Sequence, residues 1–187
     1  MSQSITRIGI DLAKHVFQVC GVSASGHTQF NKTIKRSELA EFIVNTPDCE
    51  IVLEACAGCH YWARLFRSMG HEVKVIHPRF VRPYVKTNKN DAADAEALCE
   101  AASRPHMRFV QTKTIEQQDI QMLHRIRERL VNQRTALSNQ IRGLLAEYGL
   151  VLPVGIGNLR KGLPSLLEDA DNELTAVSYT HLTLPDD

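Results

Sequence analysis

ITRIGIDLAKHVFQVCGV, residues 5–22, is the stretch on which the fold turns. Residues 5–12 are β-branched and apolar and read as a buried strand. Residues 16–22 follow after a short turn and read as its hairpin partner. Ser23-Ala24-Ser25-Gly26 forms the next turn, and residues 27–34 supply a third strand. Strands joined by turns this short pair antiparallel.

Further along, the rhythm changes. Residues 37–44 place Leu39, Phe42 and Ile43 at helical spacing, with Ser37 as N-cap and Pro47 beyond the end. EIVLEA (50–55) is a continuous apolar run that ends in a carboxylate, which reads as a central strand. Residues 61–69 read as a helix closed by Gly70. EVKVI (72–76) reads as a strand stopped by Pro78, and a helix covers 91–102. Strands separated by helices pair in parallel. The expected fold is therefore α/β, a mixed five-stranded sheet with flanking helices in the ribonuclease H-like (RuvC-like) manner. We assign residues 1–108 to this domain.

Residues 114–148 contain no Pro, and no Gly before Gly143. Ile120, Leu123, Ile126, Leu130, Leu137, Ile141 and Leu144 recur at threes, fours and one seven. The pattern reads as one long helix or a helical hairpin, coiled-coil-like, so 109–150 forms a helical segment for oligomerisation or nucleic-acid binding. Beyond it, Pro153, Gly155, Gly157, Gly162 and Pro164 interrupt the pattern, and a short helix begins at 165–169. Residues 151–187 read as linker and tail. The last ten, SYTHLTLPDD, continue no element and read as truncated or foreign sequence.

The net charge of +1 hides an uneven distribution. Lys74, Arg79, Arg82, Lys86 and Lys89 follow one another with no acid after Glu72. From Arg104 to Arg142 there are eight Lys or Arg against three acids. Such stretches suit a polyanion. No run approaches the roughly 20 apolar residues of a membrane span, and the N-terminus lacks the pattern of a signal peptide. A cytoplasmic, nucleoid-associated protein is expected, with its five cysteines as free thiols.

Four acids carry the chemistry. Asp11 ends the first strand and Glu54 ends the strand after the first helix. Asp91 and Asp94 lie three apart at the start of a helix and so share a face. Two sheet carboxylates and a helical pair can meet at one edge of the sheet. Each also has a local reading, as a turn cap, a paired acid, an N-cap or a first-turn charge. Together they read as a site for hard Mg²⁺ or Mn²⁺ ions, which prefer oxygen ligands. Two such ions about 3.5–4 Å apart activate the attacking oxygen and stabilise the leaving one in phosphodiester cleavage. Arg79, Arg82, Lys86 and Lys89 lead into Asp91 and read as phosphate contacts, as do Lys14, Arg125 and Arg129; a solvated surface is the alternative.

Four stretches also resemble a known family: IGIDLAKHVFQV (8–19), VLEACAGCHYWAR (52–64), VIHPRFVRPYVK (75–86) and NKNDAADAEAL (88–98). They look like the N-terminal domain of DEDD-type insertion-sequence transposases, relatives of the Piv DNA invertase, and the likeness runs over roughly 5–165. The resemblance implies that Asp11, Glu54, Asp91 and Asp94 are the family's four acids. It further implies Mg²⁺ dependence, strand cleavage and exchange on DNA, guidance by a structured RNA, and a homo-oligomer (dimer or tetramer). Family members continue into a second domain with a nucleophilic serine, a role Ser178 does not take. The chain is expected to be an N-terminal fragment that binds nucleic acid without strand exchange. Two other readings share these residues: a free-standing RuvC or ribonuclease H-like junction resolvase, and a non-catalytic nucleic-acid-binding or dimerisation module.

Competing motifs are weaker. Cys56-Ala57-Gly58-Cys59-His60 has the haem-attachment spacing, but at a strand-to-helix turn two buried or half-buried thiols are expected. Gly155-Ile156-Gly157 lacks the later glycine and the preceding strand of a nucleotide loop. Tyr61-Trp62 is expected to pack its helix on the sheet, with base stacking as the alternative.

Overall fold

The structure is a computed structural model that describes residues 4–85 and 91–182. Its elements are β1 (Ile5–Asp11), β2 (Val16–Ser23), β3 (Thr28–Lys35), α1 (Leu39–Val44), β4 (Glu50–Glu54), α2 (Cys59–Ser68) and β5 (Glu72–Ile76). After these come α3 (Pro78–Val81), a 3₁₀ turn (Arg82–Tyr84), α4 (Asp91–Ala102), α5 (Ile115–Glu147), α6 (Ile156–Glu168) and α7 (Ala176–Leu182). The sheet runs β3-β2-β1-β4-β5. β1 and β3 are antiparallel to β2, whereas β1, β4 and β5 are mutually parallel. The mixed ribonuclease H-like sheet is thus as the residue pattern predicts.

Side-chain alternation along β1 explains the layers. Ile8 and Ile10 face α1 and α2, in a core with Phe17, Val19, Ile51, Leu53, Leu39, Ile43, Trp62 and Phe66. Full burial of each such Ile, Leu or Phe contributes about 1.5–3 kcal/mol. On the opposite face α4 lies against the sheet: Leu98, Ala97 and Ala101 pack with Val52 and Ile76, and Ala95 and Cys99 with Cys20 and Val22.

Contacts divide the chain into two compact units, residues 1–115 and 116–187. Residues 109–113 belong with the first. Phe109 bridges to Ile76, and Val110 N–H donates to Val75 O at 2.7 Å. Arg64 donates to Lys113 O at 2.6 Å, and the Lys113 amide donates to His60 Nδ1 at 3.2 Å. In the second unit α5 is a single helix of 33 residues.

The structure departs from local expectation at Ser37 and after Gly149, and gives Pro78 a second role. Ser37 does not cap α1: Glu38 precedes the helix without a side-chain cap bond, because a turn with Glu38 N–H on Lys35 O leads straight into it. Pro78 opens α3 as well as closing the strand, with His77 accepting the Arg79 amide. The broken stretch after Gly149 contains the 13-residue helix α6, despite Gly157, Gly162 and Pro164. Tertiary burial outweighs these breakers. Leu159 and Leu163, one turn apart, are buried with Ile141 and Leu145 of α5, and a Cβ on Gly162 would lie 2.6 Å from Leu152. α7 likewise extends into the first part of the tail.

Candidate metal centre

Asp11 is the last residue of β1. In the parallel register Ile10 lies beside Leu53, so Glu54 ends β4 at the same level, and Glu54 in turn lies beside Ile76 of β5. Asp91 and Asp94 occupy the first turn of α4. Gly9 determines how closely that helix approaches. A Cβ at Gly9 would stand 2.3 Å from the Ala95 carbonyl oxygen and 2.9 Å from Cys99 Sγ, so only glycine admits α4 here. Gly9 and Asp11 share a face of β1, so the helix turn preceding Ala95 falls over Asp11. Two further bonds hold α4 in place. Asn31 Nδ2 donates to Ala92 O at 2.9 Å, and Arg7 Nη1 donates to Cys99 O at 3.2 Å.

The outcome is a cluster in which carboxylate oxygens of Asp11, Asp91 and Asp94 all lie within 4.8 Å of one another. Asp11 and Asp94 are half-buried and Asp91 is exposed. Glu54 is not among these three; it stands at the neighbouring strand end, half-buried. Carboxylates this close repel one another unless a cation joins them. An all-oxygen donor set of this size fits a hard divalent cation.

Two thiols stand beside the cluster. Cys56 is pushed up to about 11 by burial and by the neighbouring Cys59, Glu54 and Asp11, and burial also raises Cys59. Both are therefore held as thiols rather than thiolates in the metal-free chain near neutrality. Both are free, Cys59 buried and Cys56 half-buried, as expected.

The basic residues are less concentrated. Lys14 is exposed between β1 and β2, Arg79 on α3 and Arg82 on the 3₁₀ turn after it, Arg79 with its guanidinium 4.5 Å from the Phe80 ring centre. Arg125 and Arg129 are exposed on α5, one turn apart. Lys86 and Lys89 lie outside the described residues.

At the far ends of the parallel strands is a network that sequence reasoning missed. Glu50 accepts from Arg7 Nε and from Lys74 Nζ, and its side chain is only 13% exposed. Burial opposes its ionisation, but the hydrogen bonds from Lys74 and Arg7 outweigh it and hold the carboxyl below its ordinary range. Gly9 was also missed, although an isolated glycine within a strand is itself a sign of close backbone approach.

Known proteins resemble this chain over most of its length. A "Probable family 20 transposase" of Pseudomonas aeruginosa is 53% identical over 148 residues, which are 79% of this chain and 44% of that protein. The "Transposase for insertion sequence element IS1111A" of Coxiella burnetii is 47% identical over 165 residues, 88% of this chain and 45% of that one. The chain spans less than half the length of these curated relatives. Among solved structures, T. thermophilus RuvC in complex with a Holliday junction substrate aligns with a TM-score of 0.43 at 11% identity. That alignment covers 57% of this chain and 99% of that one. Residues 8–150 match the sequence pattern of the DEDD IS110-type family described as "Transposase". With three of its acidic positions converging on one sheet edge, this chain belongs to the IS110 family of DEDD transposases.

Proposed function

We propose that this chain is the nuclease part of an insertion-sequence transposase, and that Asp11, Glu54, Asp91 and Asp94 support metal-dependent cleavage of DNA phosphodiester bonds. The convergence of Asp11, Asp91 and Asp94 carries the reading. Asp11 at the end of β1 and Asp94 on α4, both half-buried, would hold a Mg²⁺ or Mn²⁺ ion together with the exposed Asp91, with Glu54 at the end of β4 as the fourth acid. A bound divalent ion supplies Lewis-acid stabilisation of the scissile phosphate and an activated oxygen nucleophile. Lys14, Arg79 and Arg82, with Lys86 and Lys89, position the strand by phosphate contacts, and Arg125 and Arg129 add contacts along α5. The protein acts in the cytoplasm, at the nucleoid.

Two partners belong to the same proposal. Guidance by a structured RNA rests on family resemblance. Assembly into a homo-oligomer is supported by Leu123, Leu130, Leu137 and Leu144, which recur every seven residues on α5 and are 64%, 59%, 45% and 49% exposed.

Mn²⁺ titration followed by electron paramagnetic resonance tests the centre, alongside Mg²⁺-dependent nicking of end-labelled DNA. Asp11→Asn and Asp94→Asn are each expected to weaken Mn²⁺ binding by at least about tenfold, since even losing the partner behind a metal ligand costs about 10- to 100-fold. Equal Mn²⁺ binding by all three proteins would overturn the reading.

A further inference from the structure

Tyr61 and Trp62 adjoin in α2, yet the fold separates their roles. Trp62 is 4% exposed, in the core against Phe17 and Phe66. Tyr61 is 51% exposed, its ring held in an edge-to-face contact with Trp62 at 5.3 Å. It lines an open cleft of about 710 Å³ with His15, Lys35, Arg36, Ser37 and Trp62.

The register shows where this cleft lies. β2 is antiparallel to β1, so its first residue, Val16, starts at the end of the sheet where Asp11 finishes. Val16 pairs with Lys35, the last residue of β3. α2 begins just after β4 ends at Glu54. The cleft therefore opens at the same end of the sheet as the carboxylates, on the side of α1 and α2, whereas Asp91 and Asp94 come from α4 on the other.

Its chemistry is that of a nucleotide subsite. Arg36 is braced, with its guanidinium 5.3 Å from the Trp62 ring centre and its amide donating to His15 O at 2.9 Å. Lys35 pairs with Glu38 at 3.7 Å, both side chains exposed and the pair correspondingly weak. Cations beside an exposed, braced aromatic ring are how proteins grip single strands: phosphates meet the cations and a base stacks on the ring. A paired base keeps its faces inside the duplex stack, so the ring selects an unpaired one. The volume falls within the roughly 300–1,000 Å³ of sites that take ligands of this size.

We infer that this cleft holds an unpaired nucleotide of a nucleic-acid strand, its base on Tyr61 and its phosphate among Lys35, Arg36 and Ser37, next to the carboxylate edge. The inference rests on the nuclease reading only for the purpose of the contact; binding itself needs no metal. The test is fluorescence anisotropy in EDTA, with the 187-residue chain, its Tyr61→Ala, Tyr61→Phe and Lys35→Ala variants, and labelled single-stranded DNA, single-stranded RNA and duplex DNA of equal length. Tyr61→Ala should weaken binding of at least one single strand by about 5- to 100-fold, with Tyr61→Phe close to wild type. Lys35→Ala should lower the salt slope by about one. The preferred single strand identifies the source as DNA or RNA. Equal affinity for duplex, or single-strand binding unchanged in Tyr61→Ala, would overturn the subsite. Mn²⁺ titration of Tyr61→Ala separates the two readings: retained Mn²⁺ binding with lost strand binding supports the cleft, whereas absent Mn²⁺ binding in the wild type sinks the metal centre alone.

Discussion

At the scale of single residues, the acids depend on a residue without a side chain. Asp11 meets Asp91 and Asp94 because Gly9 lets the Ala95 backbone settle on β1. The atom nearest a methyl group there is a backbone carbonyl oxygen in mid-helix, which cannot swing aside as a side chain can. Gly9→Ala should therefore destabilise the first unit by about 1–3 kcal/mol, the usual cost of overpacking. It should also reduce Mn²⁺ affinity without removing any ligand. Chemical denaturation and Mn²⁺ titration of the same variant check this; unchanged values in both would show that α4 yields freely. The acids themselves were legible in the sequence because each sits at a strand end or in a helix first turn. The glycine that joins them was not, since its role depends on a helix some eighty residues away along the chain.

At the scale of elements, α4 and α5 contrast. α4 is buried along Ala95, Leu98, Cys99 and Ala102, and its position is dictated by the sheet. α5 leaves a leucine at every seventh position exposed. In the proposed homo-oligomer this seven-residue apolar repeat is the contact seam. Leu130→Asp, which adds a charge to the middle of that seam, should shift the chain to a smaller species in analytical ultracentrifugation and leave its helical circular dichroism nearly unchanged. An unaltered sedimentation profile would remove α5 as the contact. α6 shows where element-level reading fails. Gly157, Gly162 and Pro164 each disfavour a helix locally, yet burial of Leu159 and Leu163 and the tight seat of Gly162 on Leu152 outweigh them.

At the scale of the whole molecule, opposite ends of the parallel strands carry opposite electrostatic designs. One end gathers carboxylates; the other places Glu50 between Arg7 and Lys74. Because the Glu50 carboxyl is held below its ordinary range in the folded state, the folded chain binds fewer protons there than the unfolded one. Its stabilisation is complete above the ordinary carboxylate range, near pH 4–5, and is lost as pH falls through the depressed value. Glu50→Gln should be less stable than wild type at pH 7, and the gap should narrow on acidification, as read from urea midpoints at pH 7 and pH 4. A constant gap would mean that shape, not charge, holds Glu50. The sequence by itself determined the strands, the helices flanking them, and the placement of Asp11, Glu54, Asp91 and Asp94 on their elements, because apolar periodicity and strand ends are local properties of the chain. Only the tertiary structure decided that Asp11, Asp91 and Asp94 form the tight cluster with Glu54 beside it, that Trp62 goes to the core while Tyr61 stays outside, and that α6 forms at all. Each of these depends on close packing between segments far apart in sequence, which no local pattern encodes.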